Sequence, residues 1–140
     1  MRGNIEDYII TTLNFRISFI SKELFRIETK NYLDEKTQSV INRSLIENFQ
    51  IDFEEKNDTY IFKTEKIEAT ILKNGIVKEI YLKELNTHVS DFHSCNLKGT
   101  ARTLDGVNEN CPLSEGVCSK NGVAILDDSK SLVLINDELY

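Results

Sequence analysis

Residues 69–82 read ATILKNGIVKEIYL, and the pair Asn74-Gly75 at their centre decides the first element of the fold. Asn-Gly is the dipeptide that best tolerates the positive φ angles of a tight hairpin turn. Before it, Ile67, Ala69 and Ile71 alternate with polar neighbours; after it come Val77 and, following a change of register, Ile80 and Leu82. Period two sends successive side chains to opposite faces of a strand, so the stretch predicts an antiparallel hairpin with one buried face.

The same period extends outward in both directions. Phe49, Ile51 and Phe53, then Tyr60 and Phe62, continue the series upstream. Nearer the start, Phe15, Ile17 and Phe19 alternate with Arg16 and Ser18, while Phe25 and Ile27 alternate with Arg26 and Glu28. The short polar Ser21-Lys22-Glu23 between those two runs is a hairpin connection. Residues 31–37 are polar and predict a loop, with room for one helical turn over Leu33 to Lys36, before a short β-like segment at 38–43. Asn121-Gly122 and Asp105-Gly106 carry turn chemistry, and the first leads into Val123-Ala124-Ile125-Leu126, which reads as a buried strand. Many short strands at this spacing predict an all-β fold, an antiparallel β-sandwich. Residues 86–120 are long, polar and weakly periodic, a loop of the kind that is usually functional or disordered.

Length limits what this chain does by itself. Its 140 residues suit one ordinary domain, whereas a (β/α)8 barrel needs roughly 250. Apolar residues at 40% and charged ones at 29% are a balance that folds. The net charge of -6, with 17 basic residues scattered along the chain, argues against nucleic acid as a partner. Carboxylates at Glu6 and Asp7 interrupt any apolar run suited to a signal or a membrane span, so the expectation is a soluble, cytoplasmic protein with no membrane partner. Three cysteines, Cys95, Cys111 and Cys118, lack paired spacing and predict reduced thiols.

Several residue sets invite a chemical reading. His88, His93 and the three cysteines crowd into one loop, yet their separations match no structural zinc spacing, and the expectation is no metal and no cofactor. Nothing supplies the oxyanion hole or orienting acid that Cys–His catalysis needs. Asp127 and Asp128 end an apolar run, where paired acids serve as acid and base, hold a divalent cation or, more simply, build an Asx-type turn. Phe49, Phe53, Tyr60 and Phe62 read either as core or as a carbohydrate-stacking face.

Asn96-Leu97-Lys98-Gly99-Thr100-Ala101-Arg102-Thr103-Leu104-Asp105-Gly106 is followed by Pro112-Leu113, Gly116, Ser119-Lys120-Asn121-Gly122 and Asp127-Asp128-Ser129. Taken in order, with Thr37-Gln38-Ser39-Val40-Ile41-Asn42-Arg43 upstream, these segments resemble the N-terminal domain of family 31 glycoside hydrolases of the bacterial α-glucosidase group. The resemblance spans about Phe15 to Leu134. It implies a galactose mutarotase-like β-sandwich, normally followed by a (β/α)8 barrel that carries the two catalytic aspartates. On that footing the chain holds no catalytic residue and its barrel lies outside it. Its partners are the barrel and α-glucoside oligosaccharides.

The resemblance nominates Arg102, Asp105, Lys120 and Asn121 for the rim of the sugar pocket. Asn42, Arg43, Gly99, Thr100, Asp127 and Asp128 belong to its structural motifs. Arg102 and Asp105 have plainer roles open to them, an interface ion pair and a turn acceptor. The chain departs from the pattern in having Lys120 in place of arginine and Val123 in place of tryptophan. With no tryptophan anywhere, an indole stacking platform is excluded. The rival expectation is a stand-alone carbohydrate-binding β-sandwich.

Overall fold

The structure, a computed structural model, describes residues 8–29, 36–37, 48–98, 116–128, 133–135 and 138–139. The chain forms two compact units, Met1–His88 with Asp128–Tyr140, and Val89–Asp127. No α-helix occurs among the described residues, and none of their helices is long and apolar enough to cross a membrane.

The first unit is built from antiparallel sheets. Strands β1 (Ile9–Thr11), β2 (Arg16–Phe19) and β3 (Phe25–Glu28) form one sheet in that order. Strands β5 (Asp52–Glu55), β6 (Thr59–Lys63), β7 (Ile67–Leu72), β8 (Val77–Leu82) and β9 (Thr87–Val89) form a five-stranded meander. A third sheet pairs β4 (Lys36–Thr37) and β11 (Glu138–Leu139) on either side of β10 (Val133–Ile135). The predicted all-β sandwich is what forms. Lys36 is extended, paired with Leu134, rather than part of a helical turn; a two-residue strand follows its partner, and local sequence carries no trace of a partner a hundred residues away. Positions 33–35 and 38–43 lie outside the described residues.

Alternation places the core. Phe15, Ile17 and Phe19 on the first sheet are buried, as are Tyr60, Phe62, Ile67, Ala69, Ile71 and Ile80 on the second. The rings meet across the two sheets, with Phe15 edge-on to Tyr60 at 5.6 Å and Phe19 tilted against Phe62 at 6.1 Å. The fully buried phenylalanines each contribute about 1.5–3 kcal/mol through the apolar surface they remove from water. The expected hairpins appear in register: Ile17 faces Ile27, and Ala69 faces Ile80. The change of register before Ile80 is a β-bulge, because Thr70 pairs with Glu79 while Ile71 pairs with Val77, leaving Lys78 without an opposite residue.

Polar ties lock the turns of the two sheets together. At one end the buried Thr64 hydroxyl donates to the Lys22 carbonyl (2.6 Å) and accepts from the Ile67 amide (3.2 Å), while Lys22 pairs with Glu65 at 2.6 Å. At the other, Asn14 Nδ2 donates to the Lys73 carbonyl at 3.0 Å. Beside it, Gly75 packs against Phe15 and Thr29.

The Asn74-Gly75 turn forms differently from the sequence expectation. Only Gly75, at φ +92°, adopts a positive φ; Asn74 does not, and its Oδ1 accepts from the Ile76 amide instead. Gly75 N–H closes on Leu72 C=O and Leu72 N–H on Ile76 C=O, a three-residue loop with a glycine bulge. The extra residue, rather than a second left-handed residue, accommodates the strand twist.

Two substitutions test these locks in urea unfolding. Thr64→Val leaves the Lys22 carbonyl and the Ile67 amide without their shared partner and should cost about 1–3 kcal/mol. Gly75→Ala should destabilise by at least about 1 kcal/mol, since alanine is strained at positive φ and its Cβ would lie 2.9 Å from Thr29 Cγ2.

Candidate functional site

Most of the residues nominated by sequence fall between Val89 and Asp127, the second unit, whose described segments are joined by short pairings. Asn96 bridges Ser119, and Cys118 bridges Ala124, both antiparallel. Around them Leu97 N–H donates to Cys118 C=O, Lys120 N–H to Cys95 C=O and Ile125 N–H to Val117 C=O. Of residues 86–120, the described segments 86–98 and 116–120 carry the end strand β9 and these bridges.

The centre of this arrangement is the Asn96 side chain. Its Nδ2 donates to Gly116 C=O at 2.8 Å, and its Oδ1 accepts from Gly116 N–H at 2.9 Å. One planar amide therefore satisfies both backbone groups of one residue, as a neighbouring strand would. The chain that leaves at residue 97 returns to the same point at residue 116.

Asn121 does similar work. Its Nδ2 donates to Asp91 C=O at 3.0 Å, and its Oδ1 faces the Ser119 hydroxyl, which also lies 2.6 Å from Val123 C=O. Gly122, at φ +85°, makes the expected turn directly after it. Asn121 therefore spends its polar atoms within its own unit, Nδ2 on the Asp91 backbone and Oδ1 on the Ser119 side chain. Lys120 is exposed beside it.

Asp91 opens the unit with an Asx-type turn. Its carboxylate accepts from the Ser94 hydroxyl and from the amides of Ser94 and His93, both at 3.0 Å. The Ser94 hydroxyl foremost, then the two amides, hold the carboxyl well below the ordinary range, at about 2. An acid this committed to its ionised form is a turn anchor and a poor proton donor near neutrality.

Asp127 and Asp128 are adjacent in sequence but fall one in each unit. Asp128 Oδ2 lies 3.6 Å from Arg26 Nη2 on β3. Arg26 Nε is 3.3 Å from Glu28 Oε1, and the other oxygen of Glu28 takes Arg16 Nη2 at 2.6 Å. All four side chains are largely shielded from water. The register Arg16 opposite Glu28 and Ser18 opposite Arg26 puts this network on the face of the sheet away from Phe15, Ile17 and Phe19. Asp128 is therefore a partner for a shielded guanidinium.

The run Val123–Leu126 differs from its expectation of a buried strand. Ala124 has a single bridge, and Ile125 and Leu126 remain 50% and 54% exposed. A strand is made by its ladder and its cover, and four apolar residues in a row carry information about neither. The aromatic row proves to be mainly core: Tyr60 and Phe62 are buried, whereas Phe53 is 45% exposed.

His88 stacks on Tyr81 at 4.4 Å and contacts Glu79 through Nδ1. Cys95 and Cys118 are free, exposed thiols. No group of three or more His, Cys, Asp or Glu side chains placed to hold a metal occurs among the described residues. Arg102, Asp105, Asn42, Arg43, Gly99, Thr100, Cys111 and Pro112 lie outside the described residues. No protein-family model matches the chain, and no curated protein sequence matches it.

The clamp and the turn anchor are each open to measurement. Asn96→Ala should speed hydrogen exchange at the Gly116 amide about two- to tenfold, corresponding to one lost hydrogen bond of about 0.5–1.5 kcal/mol. For Asp91, the folded carboxyl titrates below its unfolded value of about 3.9. Its contribution to the turn is complete above about pH 4 and disappears as the pH falls through about 2. A carboxyl-carbon NMR titration should show that midpoint, and Ser94→Ala should move it upward.

Proposed function

We propose that this chain is the non-catalytic N-terminal β-domain of a family 31 glycoside hydrolase resembling α-glucosidases, galactose mutarotase-like in fold and cytoplasmic. Its work is mechanical: it packs on the catalytic barrel and presents a loop to the rim of the sugar pocket, where α-glucoside oligosaccharides bind. The observation that carries this reading is the bidentate Asn96–Gly116 clamp. Asn96 opens the segment NLKGTARTLDG on which the resemblance rests, and Gly116 stands in the following one, so two separate pieces of that pattern meet through a specific pair of hydrogen bonds.

Further support comes from the antiparallel two-sheet packing of the first unit and from the roles of the acids. Asp91 serves a turn and Asp128 serves an arginine, which suits a scaffold better than a site that breaks bonds. In such an arrangement the clamp matters because a pocket rim displaced by an ångström can cost on the order of a hundredfold in rate.

The chain incubated with a chromogenic α-glucoside should release nothing above background, and the reading frame downstream of Tyr140 should encode a (β/α)8 barrel with paired aspartates. Turnover proportional to the amount of chain, or a frame without such a barrel, would sink the reading. Saturable amide shifts on titration with maltose would instead favour the independent carbohydrate-binding module.

A further inference from the structure

Strand β5 (Asp52–Glu55) is the outer strand of the five-stranded sheet, and all four of its residues are exposed. Its ladder to β6 runs from Asp52 opposite Lys63 to Glu55 opposite Tyr60, and the turn closes with Lys56 N–H on Thr59 C=O at 2.8 Å. Hydrogen-bonded and non-hydrogen-bonded pairs alternate along an antiparallel ladder. Counting back from Lys56, Glu54 and Asp52 direct their backbone groups at β6, whereas Glu55 and Phe53 direct theirs away from the sheet. Among the described residues no strand pairs with that side.

The side chains flanking this edge are of two kinds. Phe53 lies on the core face, stacked on Tyr60 at 5.6 Å and tilted on Phe62 at 5.2 Å, yet it remains 45% exposed at the rim of that aromatic row. Asp52 and Glu54 project from the opposite face. The lysines nearest Glu54, Lys63 at 3.6 Å and Lys56 at 3.8 Å, are exposed pairs that hold it weakly.

We propose that β5 is a β-augmentation edge for an extended peptide segment that alternates apolar and basic side chains. The segment would take its backbone hydrogen bonds from Phe53 and Glu55, cover the exposed ring of Phe53 with its apolar residues, and set its basic residues against Asp52 and Glu54. A second copy of this chain is a poor occupant. Antiparallel self-pairing centred on Phe53 sets Asp52 opposite Glu54, centring on Glu54 sets Glu54 against itself, and centring on Glu55 does the same for Glu55. Within Asp52–Glu55 each register opposes like charges, although the last two also bring Lys56 opposite Asp52 or Glu54. The edge therefore carries its own guard against self-association while remaining open to a cationic strand. This inference is independent of the chain's parentage.

The probe is an acetylated, amidated heptapeptide alternating lysine and valine, titrated into isotopically labelled protein and followed by amide chemical shifts. Saturable shifts and slowed exchange should appear at the Phe53 and Glu55 amides, and the glutamate-for-lysine peptide should bind at least tenfold more weakly. Glu55→Pro removes an outward N–H, a change edge strands tolerate, and should weaken binding at least tenfold while the Asp52 and Glu54 amides stay protected. Should that variant lose the β6 ladder, Asp52→Asn with Glu54→Gln tests the same edge through its charge and should weaken the lysine peptide severalfold. No saturation up to millimolar peptide, equal binding of the acidic peptide, shifts centred elsewhere, or unchanged affinity in the intact variants would overturn the proposal. So would sedimentation showing a dimer whose contact is β5.

Discussion

The packing of Phe15 and Phe19 against Tyr60 and Phe62 is the contact on which the first unit depends. It joins a three-stranded sheet to a five-stranded one whose hairpins would each be marginal alone in water. Removing a ring of this size from a close-packed core costs about 3–5 kcal/mol, a large part of the total stability of an ordinary domain. The ties at either end, Thr64 to Lys22 and Asn14 to Lys73, contribute less energy but fix how the sheets lie along each other. Gly75 completes that fit because only a residue without Cβ sits so near Phe15 and Thr29 at φ +92°.

The described part of the second unit is held together by other means. It buries few apolar side chains and leaves Leu97, Val117, Ile125 and Leu126 substantially exposed. Isolated bridges and side-chain amides replace a continuous ladder, with Asn96 serving Gly116 and Asn121 serving Asp91. Asparagine suits this task because one side chain carries both a donor and an acceptor in the geometry of a peptide group. Polar scaffolding of this kind holds the described segments in place while leaving their apolar neighbours exposed.

Charge in the structure is spent on position. Asp91 is fixed as an anion by three donors, Asp128 and Glu28 accompany Arg26, and Lys22 and Glu65 join two turns. A general acid near neutrality needs its proton held by burial or by a neighbouring carboxylate, and Asp91 shows the opposite shift. The acids of β5 are exposed along an edge with which no other described strand pairs besides β6.

The sequence by itself determined strands β2, β3, β6, β7 and β8 and their buried faces. Period-two alternation at Phe15 to Phe19, Ile67 to Ile71 and Tyr60 to Phe62 is a local consequence of burying one side of a pleated strand, and Asn74-Gly75 and Asn121-Gly122 announced their turns. The slip before Ile80 was legible as a broken alternation. What only the tertiary structure decided concerns partners distant along the chain: Lys36 against Leu134, Arg26 against Asp128, Asn96 on Gly116, and whether Ile125 and Leu126 would find cover. No local pattern encodes these. A hydrogen bond or ion pair across tens of residues depends on the register and packing of everything between, and the same asparagine or arginine stands equally well in a sugar site or a structural clamp until its neighbour is in place.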